Sequence, residues 1–387
     1  MTPAADAVRD AVLRHVPAGG RVALGDGAGA PVDLLSGIVS AAEELGDLEV
    51  VCGWCLGEAW KVLDHPALRI TTFMGGYGMR GLLARGRARY LPLRLGSLPA
   101  AFHGPLRSDL AVVPGRLVAG GWVPGTEICW TSAAIEAGSG VVLVDDAVLP
   151  IGSGAVRAMD RVVAVVEHAY RPAQVPETVV DDVSAALGER VAALVPEGSP
   201  LQYGPGAVGR AVLAALRRPV RMWSGVITDA VVDLDERGLL TGDTLATYAV
   251  GTDRLYGWMD GRAVLVPVER SHDLTALARA GIWAINTALE IDLTGQVNVE
   301  RIGDDVIAGV GGHADFALAG ARSVRGASVI ALPSRRGGRP TLVERLDVPT
   351  STPRSDVDLV VTEHGVADLR GLDDRSRADA LRALWGC

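Results

Sequence analysis

Two glycine-rich turns and an arginine run are the residues whose types and spacing best suit chemistry on an anionic ligand. Gly204-Pro205-Gly206-Ala207-Val208 lies between a strand-like run and an amphipathic one, and Gly309-Val310-Gly311-Gly312 is a second turn of this kind. Backbone N–H groups at a helix start can hold an anion or a carbonyl oxygen, and glycine lets the backbone approach closely. Arg335-Arg336-Gly337-Gly338-Arg339 follows the apolar run Val329 to Leu332, and guanidinium groups beside glycines suit a phosphate. The plainer reading of each is a turn glycine or a solvated loop.

Other spacings carry weaker chemistry. Glu290, Asp292, Gln296 and Asn298 alternate with apolar Leu289, Ile291, Leu293 and Val297, which reads as a strand and turn with one polar face. Paired carboxylates can serve acid–base chemistry, although hydrogen-bonded structural groups are the commoner outcome. Cys52-Gly53-Trp54-Cys55 has the CxxC spacing of a redox pair, whose first thiol needs a lowered pKa. A metal site would want a second pair, and Cys129 and Cys387 stand alone, so no metal is expected. The plainer reading is two semi-buried cysteines at a strand end. Gly25-x-Gly27-x-Gly29 lacks the dinucleotide spacing and reads as a tight turn, which argues against a nicotinamide cofactor. Neither GxSxG nor HExxH occurs.

The elements that must position these residues are short β-branched runs alternating with Ala/Leu-rich amphipathic ones. Val22–Leu24, Leu48–Cys52, Leu110–Val113, Gly140–Val144 and Val162–Val166 are predicted strands, and Pro31–Leu45 a helix. After Tyr170 to Glu177, where Pro172 and Pro176 interrupt the pattern, a helix (Val179–Val195), a strand (Leu201–Tyr203), the glycine turn and a second helix (Ala207–Leu216) follow. This repeats the order at the start of the chain. The expectation is two related α/β domains with mostly parallel sheets, residues 1–172 and 173–387. Hydrophobic residues make up 49% of the 387, enough for sizeable cores. A net charge of −9 argues against nucleic-acid binding. Only Lys61 is lysine, so Schiff-base chemistry has a single candidate. The first twenty residues lack an apolar core and no run is long enough to span a membrane, so a cytoplasmic protein is expected.

The stretch Ala284 to Gly371 resembles the C-terminal domain of the acetyl-CoA hydrolase/transferase family, which includes acetate, succinate and 4-hydroxybutyrate CoA-transferases. The resemblance rests on ordered segments: Ala284 to Asn298, Gly309 to Gly312 with Asp315-Phe316, Ile330 to Ser334, Thr352 to Asp356, and Val360 to Gly371. Weaker similarity at Val22–Leu34, Leu201–Leu213, Gly251-Thr252 and Leu255-Tyr256 extends it over most of the chain. It implies a CoA-transferase-like α/β fold and an acyl-CoA substrate, with no tightly bound cofactor. In the family, a glutamate attacks the thioester and forms an acyl-glutamyl anhydride, then a glutamyl-CoA thioester. The resemblance assigns Gly204, Gly206, Ala207 and Val208, with Gly309, Gly311 and Gly312, to the thioester oxygen, and Arg336 to CoA.

Departures from the family pattern shape the expected chemistry. Trp223-Ser224-Gly225-Val226-Ile227-Thr228-Asp229-Ala230-Val231-Val232-Asp233-Leu234 matches the segment that carries the family's glutamate, and Gly225 stands in its place. Ala308 replaces a common asparagine, and Ala119-Gly120-Gly121-Trp122 replaces an HGY-type segment. His313 follows the second glycine loop where the family has a small or amide side chain, and its ordinary pKa near 6.5 suits a general base. His313, Ser224 and Asp229 are therefore the catalytic candidates. The expected function is acyl transfer from acyl-CoA to a small non-carboxylate acceptor, or hydrolysis, without a glutamyl anhydride. The alternatives are a silent CoA-binding protein, and an ordinary CoA-transferase with another carboxylate as nucleophile. A homo-oligomer or a catalytic partner subunit is left open.

Overall fold

The structure is a computed structural model that describes residues 2–386 apart from 59, 77 and 170. Cys387 and Tyr170, both named above, lie outside the described residues. The chain forms two compact α/β units, Met1–Val175 with Thr247–Arg270, and Pro176–Ala246 with Ser271–Cys387.

The first unit opens with the helix Pro3–His15, whose N-cap Thr2 accepts the Ala5 N–H at 3.2 Å. Capping satisfies one of the free donors at a helix start. Its sheet runs, in space, Ala88–Tyr90, Leu68–Thr72, Leu48–Cys52, Arg21–Leu24, Leu110–Val118, Gly140–Asp145 and Val162–Glu167. All these neighbours pair in parallel, and Gly121–Pro124 is an antiparallel hairpin partner of Leu110–Val118. The two-residue turn of that hairpin is Ala119-Gly120, with Gly120 at φ 89°, and Gly121 and Trp122 already belong to the partner strand. Central strands such as Leu48–Cys52 are buried at every position, which explains their continuous apolar runs. The expected helix at Pro31–Leu45 is a 3₁₀ turn, Val32–Leu34, running into the α-helix Leu35–Leu45.

Residues 247–270 belong to the first unit although they follow the expected division after residue 172. Backbone pairing holds them there: Ile128 N–H to Thr247 O (3.1 Å), Ala249 N–H to Thr126 O (2.8 Å) and Val268 N–H to Cys129 O (3.2 Å). The Tyr256 hydroxyl adds a 2.8 Å bond to Ala173 O. Partners this far apart in the chain leave no mark on local composition.

The second unit begins with the helix Asp182–Leu194, capped by Asp181, and its sheet runs Arg221–Met222, Pro200–Tyr203, Trp283–Asn286, Ala327–Ala331, Leu359–Thr362 and Gly365–Asp368. Only the last pair is antiparallel. Two apolar clusters cover it, one around Ile291, Ile330, Val360 and Leu381, the other around Leu277, Ile282, Ala284 and Phe316. Burying each of the larger of these side chains contributes about 1.5–3 kcal/mol. Among the described residues no helix is long and apolar enough to cross a membrane.

Candidate functional site

In the second unit the strand Pro200–Tyr203 runs through Gly204-Pro205-Gly206 into the helix Ala207–Ala215. Gly206, the N-cap, has φ 137°, and a Cβ placed on it would meet nothing within 4 Å. Gly209 is glycine for another reason: a Cβ there would overlap the Gly204 carbonyl and lie 2.9 Å from Tyr203 Cδ2. Gly204, Gly206 and Gly209 together therefore have the GxGxxG spacing of an anion-binding strand–turn–helix unit, a signal the sequence reading passed over. The next strand, Arg221–Met222, is followed by Trp223 and Ser224 rather than by the acid that would bind a ribose.

The segment that bears Gly225 leaves this strand under backbone control. Trp223 N–H donates to Leu201 O and Ser224 N–H to Leu245 O, both at 2.9 Å. The fully buried Ser224 hydroxyl donates to Tyr203 O at 3.1 Å, so its proton is committed to a backbone carbonyl. Asp229 is the buried first residue of the helix Asp229–Glu236, whose N-cap is Thr228. The Ala230 N–H at that helix start donates to Glu177 Oε1 at 2.7 Å, and Arg210 Nε lies 3.3 Å from Glu177 Oε2.

The second glycine loop ends in a helix, His313–Ala321, with Gly312 as N-cap. Gly311 is left-handed at φ 58°, a conformation that favours glycine. A Cβ on Gly312 would overlap Nε2 of His272 and lie 3.0 Å from its Cδ2. The same imidazole lies beside Gly225: a Cβ there would be 3.6 Å from His272 Cε1 and Nε2 and 3.7 Å from Phe316 Cε2. The structure thus brings Gly225 and the Gly309–Gly312 loop together around one histidine.

His272 was missed by the sequence reading, because its local spacing connects it to neither glycine. It is only 4% exposed. Its Nδ1 shares a 2.8 Å hydrogen bond with Ser271 Oγ, and its ring meets Phe316 at 4.8 Å between centroids. Trp223 Nε1–H donates to Ser271 O at 2.9 Å. Nε2 has no partner among the described residues, and neither has Nε2 of His313. Burial disfavours the charged imidazolium, lowering His272 to about 3 and His313 to about 4. Both rings are neutral near pH 7, so each offers a hydrogen bond rather than a charge.

Arg336 lies in the hairpin Arg335–Arg336 with Arg339–Pro340. Its Nη2 donates to Ala288 O at 3.1 Å. The residue is exposed at the surface, yet desolvation of its guanidinium lowers its pKa from the ordinary value, and nearby Glu290 opposes that. Arg335 is turned onto Gly338 O, at 2.8 Å from Nη2. The Glu290–Asn298 face is structural. Asp292 Oδ1 accepts from Thr294 N, Thr294 Oγ1 and Gln296 N, while Asn298 Nδ2 donates to Glu290 Oε2 at 3.3 Å.

The first unit carries its own buried polar cluster. Asp26, inside the Gly25–Gly29 turn, accepts from Trp130 Nε1 (3.1 Å), Trp54 N (3.3 Å) and the Tyr248 hydroxyl (3.0 Å). Burial raises it from 3.8 to about 7 despite these donors. Glu127, 2% exposed, is pushed well up by burial and by the Asp26 charge, and its Oε2 has no partner among the described residues. Cys52 and Cys55 are buried free thiols, and hydrogen bonding to Cys55 and burial push Cys52 well up. A redox pair needs the opposite shift, so the CxxC spacing here is a core feature.

Residues 251–384 match the acetyl-CoA hydrolase/transferase C-terminal domain. The chain is 29% identical over 392 residues to a 4-hydroxybutyrate coenzyme A transferase of Clostridium kluyveri, covering 93% of this chain and 90% of that one. It is 31% identical over 248 residues to an acetyl-CoA hydrolase of Saccharomyces cerevisiae, covering 57% and 46%. Among solved structures, a 4-hydroxybutyrate CoA-transferase from Porphyromonas gingivalis superposes with a TM-score of 0.80 at 25% identity, covering 98% and 93%. RipA from Yersinia pestis superposes at 0.88 with 24% identity, covering 98% and 93%, a likeness of fold. The ordered motifs of the second unit, the doubled parallel-sheet architecture and these relatives agree: residues 251–384 match the acetyl-CoA hydrolase/transferase C-terminal domain, and over most of its length the chain is similar to CoA-transferases.

Proposed function

We propose that the chain is an acyl-CoA transferase/hydrolase-like enzyme that moves the acyl group directly to a small non-carboxylate acceptor, or to water, without a glutamyl anhydride. The observation that carries this is Gly225, which offers no carboxylate and faces His272 and Phe316 beside Gly312. In the step, the acceptor's O, N or S bonds to the thioester carbon and the carbonyl electron pair moves onto oxygen. Collapse then breaks the C–S bond, and the acceptor's proton ends on the CoA sulfur. The N–H groups of the Gly204–Val208 and Gly309–Gly312 segments suit the oxyanion, and losing one such donor typically costs about 10²–10³-fold in rate. His313, whose Nε2 has no partner among the described residues, is the candidate for relaying the proton, holding it only transiently because burial disfavours the imidazolium. Arg336 is the candidate contact for a CoA phosphate. The substrate is CoA-linked, with no tightly held cofactor.

The test is incubation with acetyl-CoA and butyryl-CoA, with intact mass read after hydroxylamine or borohydride trapping. Turnover with no protein adduct is expected. An adduct on Asp229 or another carboxylate would overturn the reading in favour of an ordinary CoA-transferase, and tight binding without turnover would make the chain a silent subunit. Gly225→Glu supplies the family's nucleophile, and it should form a glutamyl-CoA thioester that the wild type does not. A wild type exchanging CoA between acetate and succinyl-CoA above background contradicts the proposal.

A further inference from the structure

We propose that His272 is the positioning residue of the acyl-transfer site, a wedge that sets the spacing between the Gly225 turn and the Gly309–Gly312 loop; this rests on the acyl-transfer reading above. Gly312 has φ −86° and ψ −4°, right-handed helical backbone that any residue adopts. Conformation therefore does not demand glycine at 312. The imidazole does, because it occupies the space that a Cβ would take. Gly225 touches the same ring at ordinary van der Waals distance, 3.6 Å from a Cβ position.

The ring itself is held from several directions. Ser271 Oγ fixes Nδ1 at 2.8 Å, and Phe316 covers one side. Trp223, in the segment that leads to Gly225, ties the Ser271 carbonyl through its indole N–H at 2.9 Å. Asp273, the next residue, caps the helix Leu274–Ala280 by accepting from Thr275 N (2.9 Å) and Ala276 N (3.0 Å). The backbone around His272 is thus pinned to the turn that bears Gly225 and to a helix. An apolar side chain could fill the volume without stranding a buried ring nitrogen, but it could not be oriented through Ser271. A shift of about 1 Å in an oxyanion donor can cost about 10²-fold in rate, so a rigid spacer under the loop acts on chemistry more than on binding.

A double-mutant cycle tests this, using Gly312→Ala, His272→Ala and the double variant, with acetyl-CoA as the thioester probe and kcat, KM and Tm as readouts. Gly312→Ala should lower kcat by about 10²-fold with KM little changed. His272→Ala should also lower kcat, and the double variant should lose no more than His272→Ala alone, because the new methyl group enters the space left by the ring. His272→Asn, which keeps a partner for Ser271, should retain more kcat than His272→Phe, which keeps the volume and loses that bond. Additive kcat losses overturn the wedge. Coupling in Tm without coupling in kcat, or full kcat in His272→Phe, overturns the positioning role. A wild type with no thioester turnover removes the acyl-transfer reading and the positioning role with it, whereas turnover with additive losses removes the positioning role alone.

Discussion

In the first unit two buried acids, Asp26 and Glu127, lie with Tyr248 and Trp130; in the second, alongside buried acids such as Asp229 and Asp315, the buried His272 and the half-buried His313 stand around a glycine loop. Burial drives both sets toward neutrality from opposite sides, raising the carboxyls and lowering the imidazoles. Hydrogen bonding separates Asp26 from the imidazoles, whereas Glu127, whose Oε2 has no partner among the described residues, sides with them. Three donors converge on Asp26, so the acid is an organising centre for the strand ends around it. The two imidazoles each leave Nε2 without a partner among the described residues, so their capacity is uncommitted. A buried polar group whose bonds are all made serves the fold, while one held by a single atom and bare at the other is available to a ligand or to a neighbour's geometry.

The largest effect expected from breaking this contrast is in the first unit. Asp26→Leu would strand the Trp130 indole N–H, the Trp54 N–H and the Tyr248 hydroxyl. Leaving buried donors unsatisfied costs about 1–3 kcal/mol each, so urea unfolding should show a loss of about 3 kcal/mol or more. Asp26→Asn mimics the protonated acid and should lose far less. Equal losses in the two variants would mean that the three donors find other acceptors and that Asp26 organises nothing.

The two regions should also tilt stability against pH in opposite senses. Asp26 moves from 3.8 to about 7, so between those values the folded chain binds more protons than the unfolded one. Its contribution is full below about 3.8 and is lost as pH rises through 7. His272 moves from 6.5 to about 3 and His313 from 6.5 to about 4, so the unfolded chain binds more protons in that window. Their contribution is full above 6.5 and is lost as pH falls. Urea unfolding followed from pH 4 to 8 should show Asp26→Asn gaining on the wild type as pH rises and His272→Asn gaining as pH falls. Parallel curves for wild type and both variants would remove the electrostatic half of the contrast.

How far these features could be read from sequence depends on whether a signal is local. Leu48–Cys52 is buried throughout and Gly140–Asp145 over its four central residues, and a continuous apolar run announces both. The glycine loops carry their own spacing, and the ordered motifs from Ala284 to Gly371 carried the resemblance that the match of residues 251–384 to the acetyl-CoA hydrolase/transferase C-terminal domain bears out. Asp26 sat inside a turn read only for its glycines, since the donors that give it meaning come from residues 54, 130 and 248. His272 was invisible for the same reason: its value comes from Gly225 and Gly312, which only the tertiary structure brings to it. The CxxC spacing alone left a redox pair beside the plainer reading of semi-buried cysteines, because local sequence does not report burial, and burial decides a thiol's reactivity.

The smallest effect is expected at the charged margin of the second unit, where Arg336 contrasts with the neutral imidazoles. Arginine stays charged in proteins, and Arg336 sits on an open hairpin between Gly337 and Gly338 and residues that are largely solvated. A guanidinium free to grip a phosphate contributes about 1.5–3 kcal/mol through charged hydrogen bonds. Here one N–H is already spent on Ala288 O, and Glu290 competes for the charge. Removing Arg336 should therefore weaken acyl-CoA binding by less than that range, by about 1 kcal/mol, or roughly fivefold in Kd. The loss should shrink further as salt rises, because exposed charge pairs are screened beyond about 10 Å at 0.1 M. Calorimetric titration of Arg336→Ala with acetyl-CoA at low and high salt checks both parts. An unchanged Kd at low salt would remove Arg336 from the CoA site, and a loss that persists undiminished at high salt would instead place its guanidinium in a desolvated grip on the ligand, as buried as the imidazoles it is set against.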